Sequence, residues 1–239
     1  MKSKNNLNSA ENHVTKNLEI VETECGEYYK EKSKIMASML EGKILEVGCG
    51  TGALLECLPL QEFEFVGADY SEERLEKAKK KKLNAKFIKA NLVDKNSWNN
   101  LQGSFDTVIA SEVIEHIEND SEALGTIAYL LKSGGILILT VPAFKFLYSN
   151  FDEKTGHLRR YSKKNICDLI QKAGFKIEKS YYWNLFGFLG WLIFFKILKK
   201  EPKEVAMNSM NSIMGKMLAL ESLVHMPLGL SVFVKARKI

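Results

Sequence analysis

From Lys43 onward, short apolar runs alternate with stretches of helical periodicity. KILEV (43–47), FEFVGA (63–68), AKFIKA (85–90), FDTVIA (105–110) and GILILTV (135–141) read as strands. They are nearly continuous in apolar character, as expected of strands covered on both faces. The spacing predicts helices over 52–58, 71–82 and 119–132. Ser71 followed by Glu72 and Glu73 reads as an N-cap with acidic residues in the first turn, where the helix dipole favours them. Strand–helix alternation at this spacing predicts an α/β fold, a doubly wound and mostly parallel sheet.

Beyond Val141 the pattern changes. A loop rich in aromatic and basic residues (143–161) leads to a helix, SKKNICDLIQKAG (162–174), then to a strand-like FKIEKSYYW (175–183). An apolar run, WNLFGFLGWLIFFKIL (183–198), follows, and Met207, Met210, Met214 and Met217 recur at spacings of three, four and three, along one helical face. LSVFVKARK (230–238) reads as the last strand. Residues 1–25 are expected to be a loosely ordered lead-in, residues 26–239 one domain, and residues 184–228 a hydrophobic, helical insertion before the final strand. The apolar run is shorter than the ~20 residues of a spanning helix and contains Asn184 and Lys196, so it predicts an interfacial or buried element.

A chain of 239 residues with 46% hydrophobic and 26% charged residues can bury a sizeable core, which excludes bulk disorder. The net charge of +5 is spread among charges of both signs and points away from nucleic acid. Four cysteines form no CxxC pair and no zinc-spaced cluster with histidine, so reduced thiols in a cytoplasmic protein and no bound metal are expected. The lysine run KAKKKK (77–82) closes a predicted helix and reads as a solvated face.

The sharpest motif is ILEVGCGTGAL (44–54), a buried strand running through Gly48, Gly50 and Gly52 into a predicted helix. Glycines there allow a tight turn and close approach to a ligand, beside the free N–H groups of a helix start. Asp69, 21 positions after Gly48 at the end of the second strand, can accept hydrogen bonds from both hydroxyls of a ribose. Gly48-x-Gly50-x-x-Ala53 also satisfies a dinucleotide fingerprint, which keeps a nicotinamide oxidoreductase in view. Glu46 opposes that reading, because a carboxylate repels a pyrophosphate but suits the ammonium or sulfonium of S-adenosylmethionine.

With E-x-G-x-G-x-G after a strand, Asp69 at this distance, FDTVIASEVIEHI (105–117) and LLKSGGILILTVP (130–142), the chain resembles class I S-adenosylmethionine-dependent methyltransferases from about Tyr28 to Phe175. The SEVIEHI stretch is most similar to the ubiquinone-biosynthesis O-methyltransferases. The resemblance implies a seven-stranded sheet and S-adenosylmethionine as cofactor. It implies that Glu46, Gly48 and Gly50 line the methionine half, Asp69 holds the ribose, and Tyr70 lies beside the adenine. Asn91 and Leu92 would contact the adenine ring, and Ser111 and Glu112 would close the pocket.

Transfer from a sulfonium is an in-line displacement expected to be metal-independent, with a base helping if the acceptor is a hydroxyl. His157, in GHLRRYS, is the preferred base and His116 the second candidate; each could equally be structural. Arg159, Arg160 and Tyr161 beside His157 would form a cationic wall over the acceptor, or merely a loop ending in Ser162 as the next N-cap. A non-catalytic, membrane-associated cofactor-binding protein is the further alternative. The apolar insertion suits a mobile lid over a lipid-like acceptor, with peripheral membrane contact through residues 184–200.

Overall fold

The computed structural model describes residues 26–198, 217, 218, 221 and 227–239. The lead-in expected over 1–25 and Met207, Met210 and Met214 lie outside the described residues. Seven strands form one sheet in the order β3-β2-β1-β4-β5-β7-β6. They are β1 (Ile44–Val47), β2 (Phe65–Asp69), β3 (Lys86–Lys89), β4 (Phe105–Ser111), β5 (Leu131–Pro142), β6 (Phe175–Trp183) and β7 (Ser231–Lys238). β1 to β5 pair in parallel, whereas β7 runs antiparallel to both β5 and β6.

Side chains on successive strand residues point to opposite faces, so continuous apolar strands build two cores. Leu45, Val47, Val108, Leu137, Leu139, Val232 and Val234 belong to one face. Ile44, Ile109, Ile136, Ile138 and Phe233 belong to the other. The first face is covered by α3 (Asp120–Leu130), through Leu124 and Ile127, and by α5 (Lys163–Lys172), through Ile166 and Ile170. The second is covered by α1 (Gly26–Ala37), through Met36, and by α2 (Glu72–Lys80), through Leu75.

The caps fall where the sequence places them. The Ser71 hydroxyl accepts from Arg74 N at 3.4 Å, and the Ser162 hydroxyl from Asn165 N at 3.1 Å. The lysines closing α2 pair with Glu72, Glu73 and Glu76 on a solvated face. Cys49, Cys57 and Cys167 are all thiols.

Three expectations need correction. The helix expected over 52–58 is only a 3₁₀ turn at Leu55–Cys57. Gly52 enters it in the left-handed region (φ +77°), and Leu58, preceding Pro59, is extended, so the segment is too short for an α-helix. The loop over 143–161 contains a short helix, α4 (Asn150–Thr155), capped by a reciprocal Ser149–Asp152 box and ended by Gly156 at φ +80°. β5 starts at Leu131, four residues early, where its first residue pairs with Phe105 across a register shift.

The apolar run forms α6 (Leu185–Trp191) and continues as a π-helical turn over Leu192–Ile197. Asn184, itself left-handed at φ +68°, starts α6 by accepting from Gly187 N at 2.7 Å. Among the described residues no helix is long and apolar enough to cross a membrane.

Candidate active site

A cavity of about 740 Å³ opens beyond the carboxyl ends of β1, β2 and β4, where the order of a doubly wound sheet reverses and ligands collect. One wall is the start of the glycine turn, Gly48 and Cys49, while Gly50 and Gly52 shape the turn without lining the cavity. Gly48, Gly50 and Gly52 all have positive φ (+66°, +55° and +77°). A Cβ at Gly48 would lie 2.6 Å from a Val113 methyl, so the backbone makes this approach only without a side chain. The buried Glu46 precedes the turn and faces the cavity. Asp69 is also buried; its Oδ2 accepts from Gly50 N and its Oδ1 from Ser71 N, both at 2.9 Å. One carboxylate thus clamps the glycine turn to the end of β2, and its remaining lone pairs can take a further donor.

Tyr70 stands 56% exposed at the rim, while Leu92 is buried and Asn91 exposed beside it. All three line the cavity. Ser111 and Glu112 also line it, and both are held by a residue the sequence did not mark. Lys32 of α1 is fully buried, and its Nζ donates to Glu112 Oε1 (3.0 Å), Ser111 Oγ (3.1 Å) and Thr140 Oγ1 (3.2 Å). Burial alone would raise the Glu112 carboxyl; the Lys32 ammonium outweighs it and holds the group below its ordinary range. Glu112 has φ +53°, an unfavourable conformation for a side chain of its kind.

The opposite wall gathers His116, His157, Arg160 and the aromatic residues of the insertion. The His116 and His157 rings meet edge to face, with centroids 4.8 Å apart. His116 Nδ1 lies 3.1 Å from Gly156 O, and His157 Nδ1 2.8 Å from Asp152 Oδ1. Burial, and then the neighbouring His157, push His116 down to about 4. Burial would raise Asp152, but His157 and Arg160 outweigh it and hold it below the usual carboxylate range. Its Oδ1 also accepts from Arg160 Nε at 2.7 Å, and its Oδ2 from Ser149 N at 2.9 Å. Asp152 is therefore the hub of this wall. The reading of the sequence missed it, although D-x4-H-x2-R within one short loop is a usable signal.

The cationic wall expected from GHLRRYS is only partly there. Arg160 is buried and stacks over Trp191, with its guanidinium carbon 4.4 Å from the ring centre. Arg159 and Tyr161 point elsewhere: Arg159 Nη1 and the Tyr161 hydroxyl both donate to Asp120 Oδ2 at 2.9 Å. Neither lines the cavity, and together they tie the loop to the start of α3. The physical reason is Asp120, which holds the polar ends of both side chains and leaves Arg160 as the one of the three that lines the cavity.

The insertion completes the wall. Phe186, Gly187, Gly190, Trp191 and Phe194 face the cavity, while Leu189, Ile193 and Ile197 form an exposed outer stripe at spacings of four. Trp191 Nε1 donates to Leu147 O at 3.0 Å and Lys196 Nζ to Tyr148 O at 2.8 Å, which pins the run to the 143–161 segment.

These features suit S-adenosylmethionine. The glycine turn presents backbone to the cavity at Gly48 and Cys49, Glu46 offers a negative charge to a cationic centre, and Asp69 offers acceptors to a diol.

A family model described as a methyltransferase domain matches residues 21–180, about two thirds of the chain. The ubiquinone biosynthesis O-methyltransferase of Dechloromonas aromatica is 34% identical over 107 residues, 44% of this chain and 46% of that protein. The protein of the same name from Vibrio parahaemolyticus is 31% identical over 97 residues, 39% and 40% of the two chains. The chain thus spans less than half the length of these curated relatives. Among solved structures, an S-adenosylmethionine-dependent methyltransferase from Archaeoglobus fulgidus is similar at a TM-score of 0.59 and 20% identity, covering 89% of this chain and 94% of that one. One from Thermotoga maritima has a TM-score of 0.57 and 21% identity, covering 90% and 91%. At these identities the structural likeness speaks for the fold.

Proposed function

This chain belongs to the methyltransferase-domain family, and from that premise we propose that it transfers the methyl group of S-adenosylmethionine to a hydroxyl of an amphiphilic, lipid-like acceptor. One observation carries the reading: a single cavity has a glycine-and-carboxylate wall facing an aromatic wall, with two histidines where they meet. The bound cofactor would supply a methyl group activated by a sulfonium, whose leaving group is a neutral thioether that needs no Lewis acid.

The chain's own part is alignment, charge balance and exclusion of water. Gly48 and Gly50 let the cofactor's methionine half approach the backbone, and Glu46 balances its positive charge. Asp69 holds the ribose while bracing the turn, with Tyr70, Asn91 and Leu92 around the adenine. Ser111 and Glu112, held by Lys32, line the same cavity. Asp152 orients His157, whose Nε2 lone pair then faces the cavity and can take the acceptor's proton; His116 is the alternative.

Residues 184–198 act as a lid over an apolar portion of the acceptor. Their outer stripe of Leu189, Ile193 and Ile197, 44%, 48% and 64% exposed, suits peripheral contact with a membrane surface. The relatives named for ubiquinone biosynthesis support an acceptor with a lipid-like part.

Incubation with labelled S-adenosylmethionine and fractionated lipid and small-molecule extracts tests this reading. Label should enter an alkali-stable ether in a lipid fraction; label confined to amines or water-soluble fractions would overturn the acceptor assignment. Replacing residues 186–198 by a short polar linker should abolish transfer and vesicle binding together while the cofactor still binds. Normal transfer by that variant would remove the lid.

A further inference from the structure

The two ends of the lid are held by different means. At its root the chain leaves β6 through Trp183 and Asn184, both buried. Asn184 sits in the left-handed region at φ +68°, a conformation that a buried asparagine keeps only where its surroundings impose it. Its Oδ1 accepts from Gly187 N at 2.7 Å, and its carbonyl accepts from Phe188 N at 3.0 Å and Leu230 N at 2.9 Å. A Cβ at Gly187 would meet the Asn184 side chain, so this cap closes only on glycine. The next N–H, of Leu185, donates to both oxygens of the Glu221 carboxylate, at 2.8 and 2.9 Å. Glu221 is buried and lies 36 residues further along the chain, so it ties the root of the lid to the far part of the insertion.

The outer end is held by less. Trp191 Nε1 donates to Leu147 O at 3.0 Å, a neutral pair, and Lys196 Nζ donates to Tyr148 O at 2.8 Å in an exposed position, where water competes. A hydrogen bond to an ionised group is roughly twice as strong as a neutral one, and burial strengthens it further. The root therefore outlasts the tip. From Leu192 to Ile197 the helix widens into a π-turn, with Leu198 N donating to Ile193 O at 2.9 Å, a geometry frequent at functional sites. Between root and tip stands Gly190, which lines the cavity and where a Cβ would meet nothing within 4 Å. A helix bends most readily at such a residue.

Beneath the tip three rings meet. Trp191 packs on Phe151 with centres 4.8 Å apart, and Phe195 packs on Trp191 at 4.8 Å and on Phe151 at 5.2 Å. All three line the cavity. Arg160, which Trp191 covers, has its own bonds to Asp152 Oδ1 and Ala143 O, so it stays in place when the indole leaves.

We propose that Trp191 and Phe195 are a gate that lifts from Phe151 by bending at Gly190, admitting the apolar part of the acceptor, while Asn184 and Glu221 keep the root shut. The gate rests on the lipid-like acceptor proposed above. It stands on the same turn as the exposed Ile193 and Ile197, so an apolar chain leaving a surface that those residues touch enters the cavity without crossing water. Return of the indole to Leu147 then excludes water before transfer.

Hydrogen exchange on the full-length protein, free of cofactor and acceptor, reads the two ends directly. The amides of Leu185, Gly187 and Phe188 should exchange about 10-fold or more slowly than that of Leu198. Equal protection, or a root that opens first, overturns the gate. Glu221→Ala should bring the root to the rate of the tip, and Glu221→Gln, which keeps an acceptor oxygen, should restore most of the protection. A root unchanged by Glu221→Ala, in a protein that still binds S-adenosylmethionine, removes the latch. Gly190→Ala fits without a clash and should slow exchange at the tip by about 2- to 5-fold. Acrylamide quenching is a second readout: Trp98 and Trp183 are 1% and 2% exposed, so quenchable emission belongs to Trp191, with Trp191→Phe as baseline. Phe151→Ala, which removes the surface that the indole rests on, should raise this quenching about twofold, and an unchanged value overturns the gate. Equal protection at both ends with transfer to a lipid intact overturns this inference alone. A slow root and a fast tip in a chain that methylates no lipid fraction overturn the proposed acceptor alone.

Discussion

The two walls of the cavity are built by opposite means. The wall proposed to hold the cofactor comes from two short stretches, 46–52 and 69–71, and works through backbone: three left-handed glycines and one carboxylate accepting from two backbone N–H groups. The wall proposed to face the acceptor draws on His116, residues 152–160 and residues 186–194, and its polar side chains His157 and Arg160 meet at Asp152. A wall made of backbone suits a ligand whose shape does not vary. A wall made of side chains can be re-specified by substitution, which fits the side that chooses an acceptor. Lys32 and Glu112 lie at the seam.

Glu112→Ala tests the seam and should have the largest effect. It leaves the fully buried Lys32 ammonium with two hydroxyls and the Tyr28 ring but no opposite charge on residue 112, and breaking a buried pair from one side costs about 3–5 kcal/mol. Urea unfolding would read it. A loss under about 1 kcal/mol would mean that Lys32 finds water, and that the seam is not structural.

Asp152→Ala probes the acceptor wall. It leaves Arg160 buried beside an apolar side chain and unties His157, so a loss of about 3 kcal/mol and a collapse of turnover are expected. Cofactor affinity by calorimetric titration should change less than about threefold, within 0.7 kcal/mol. A parallel fall in cofactor affinity would erase the distinction between the walls.

Gly48→Ala is the converse. The left-handed conformation and the clash with Val113 should cost about 1–3 kcal/mol of stability, and cofactor affinity should fall by ~10-fold or more. Retained affinity would show that the backbone does not need this approach.

Arg159→Ala should be the mildest. Arg159 does not line the cavity and its partners are Asp120 and the Glu118 carbonyl, so a stability loss of about 1 kcal/mol with unchanged kcat and KM is expected. A raised KM for the acceptor would put Arg159 back in the wall and widen the acceptor side.

The difference between the walls also explains what could be read in advance. Gly48, Gly50 and Gly52 are legible because left-handed backbone at a strand end leaves a compositional mark at fixed spacing, and Asp69 follows one strand later. His157 and Arg160 were visible as residue types, but GHLRRYS does not say which of its side chains face inward. Lys32 sits among Glu31, Ser33 and Lys34 in a polar helix, and nothing in that stretch distinguishes the one lysine that the fold buries.

Hydrophobic periodicity by itself determined the strands, the burial of β1, β2 and most of β4 on both faces and the doubly wound arrangement, because apolar burial is set largely by each segment's own composition. The edge strand β3, with Lys86 and Lys89 exposed, is not covered in this way. The caps at Ser71 and Ser162 were decided just as locally, by a hydroxyl reaching a backbone N–H three residues on. Only the tertiary structure decided that Lys32 meets Glu112 across 80 residues, that Asp120 takes Arg159 and Tyr161 out of the cavity, and that Asp152 takes both His157 and Arg160. These are pairings of charged and polar groups in a water-poor interior. Their strength depends on which partner the packed chain brings within about 3 Å, and no spacing along the sequence encodes that distance.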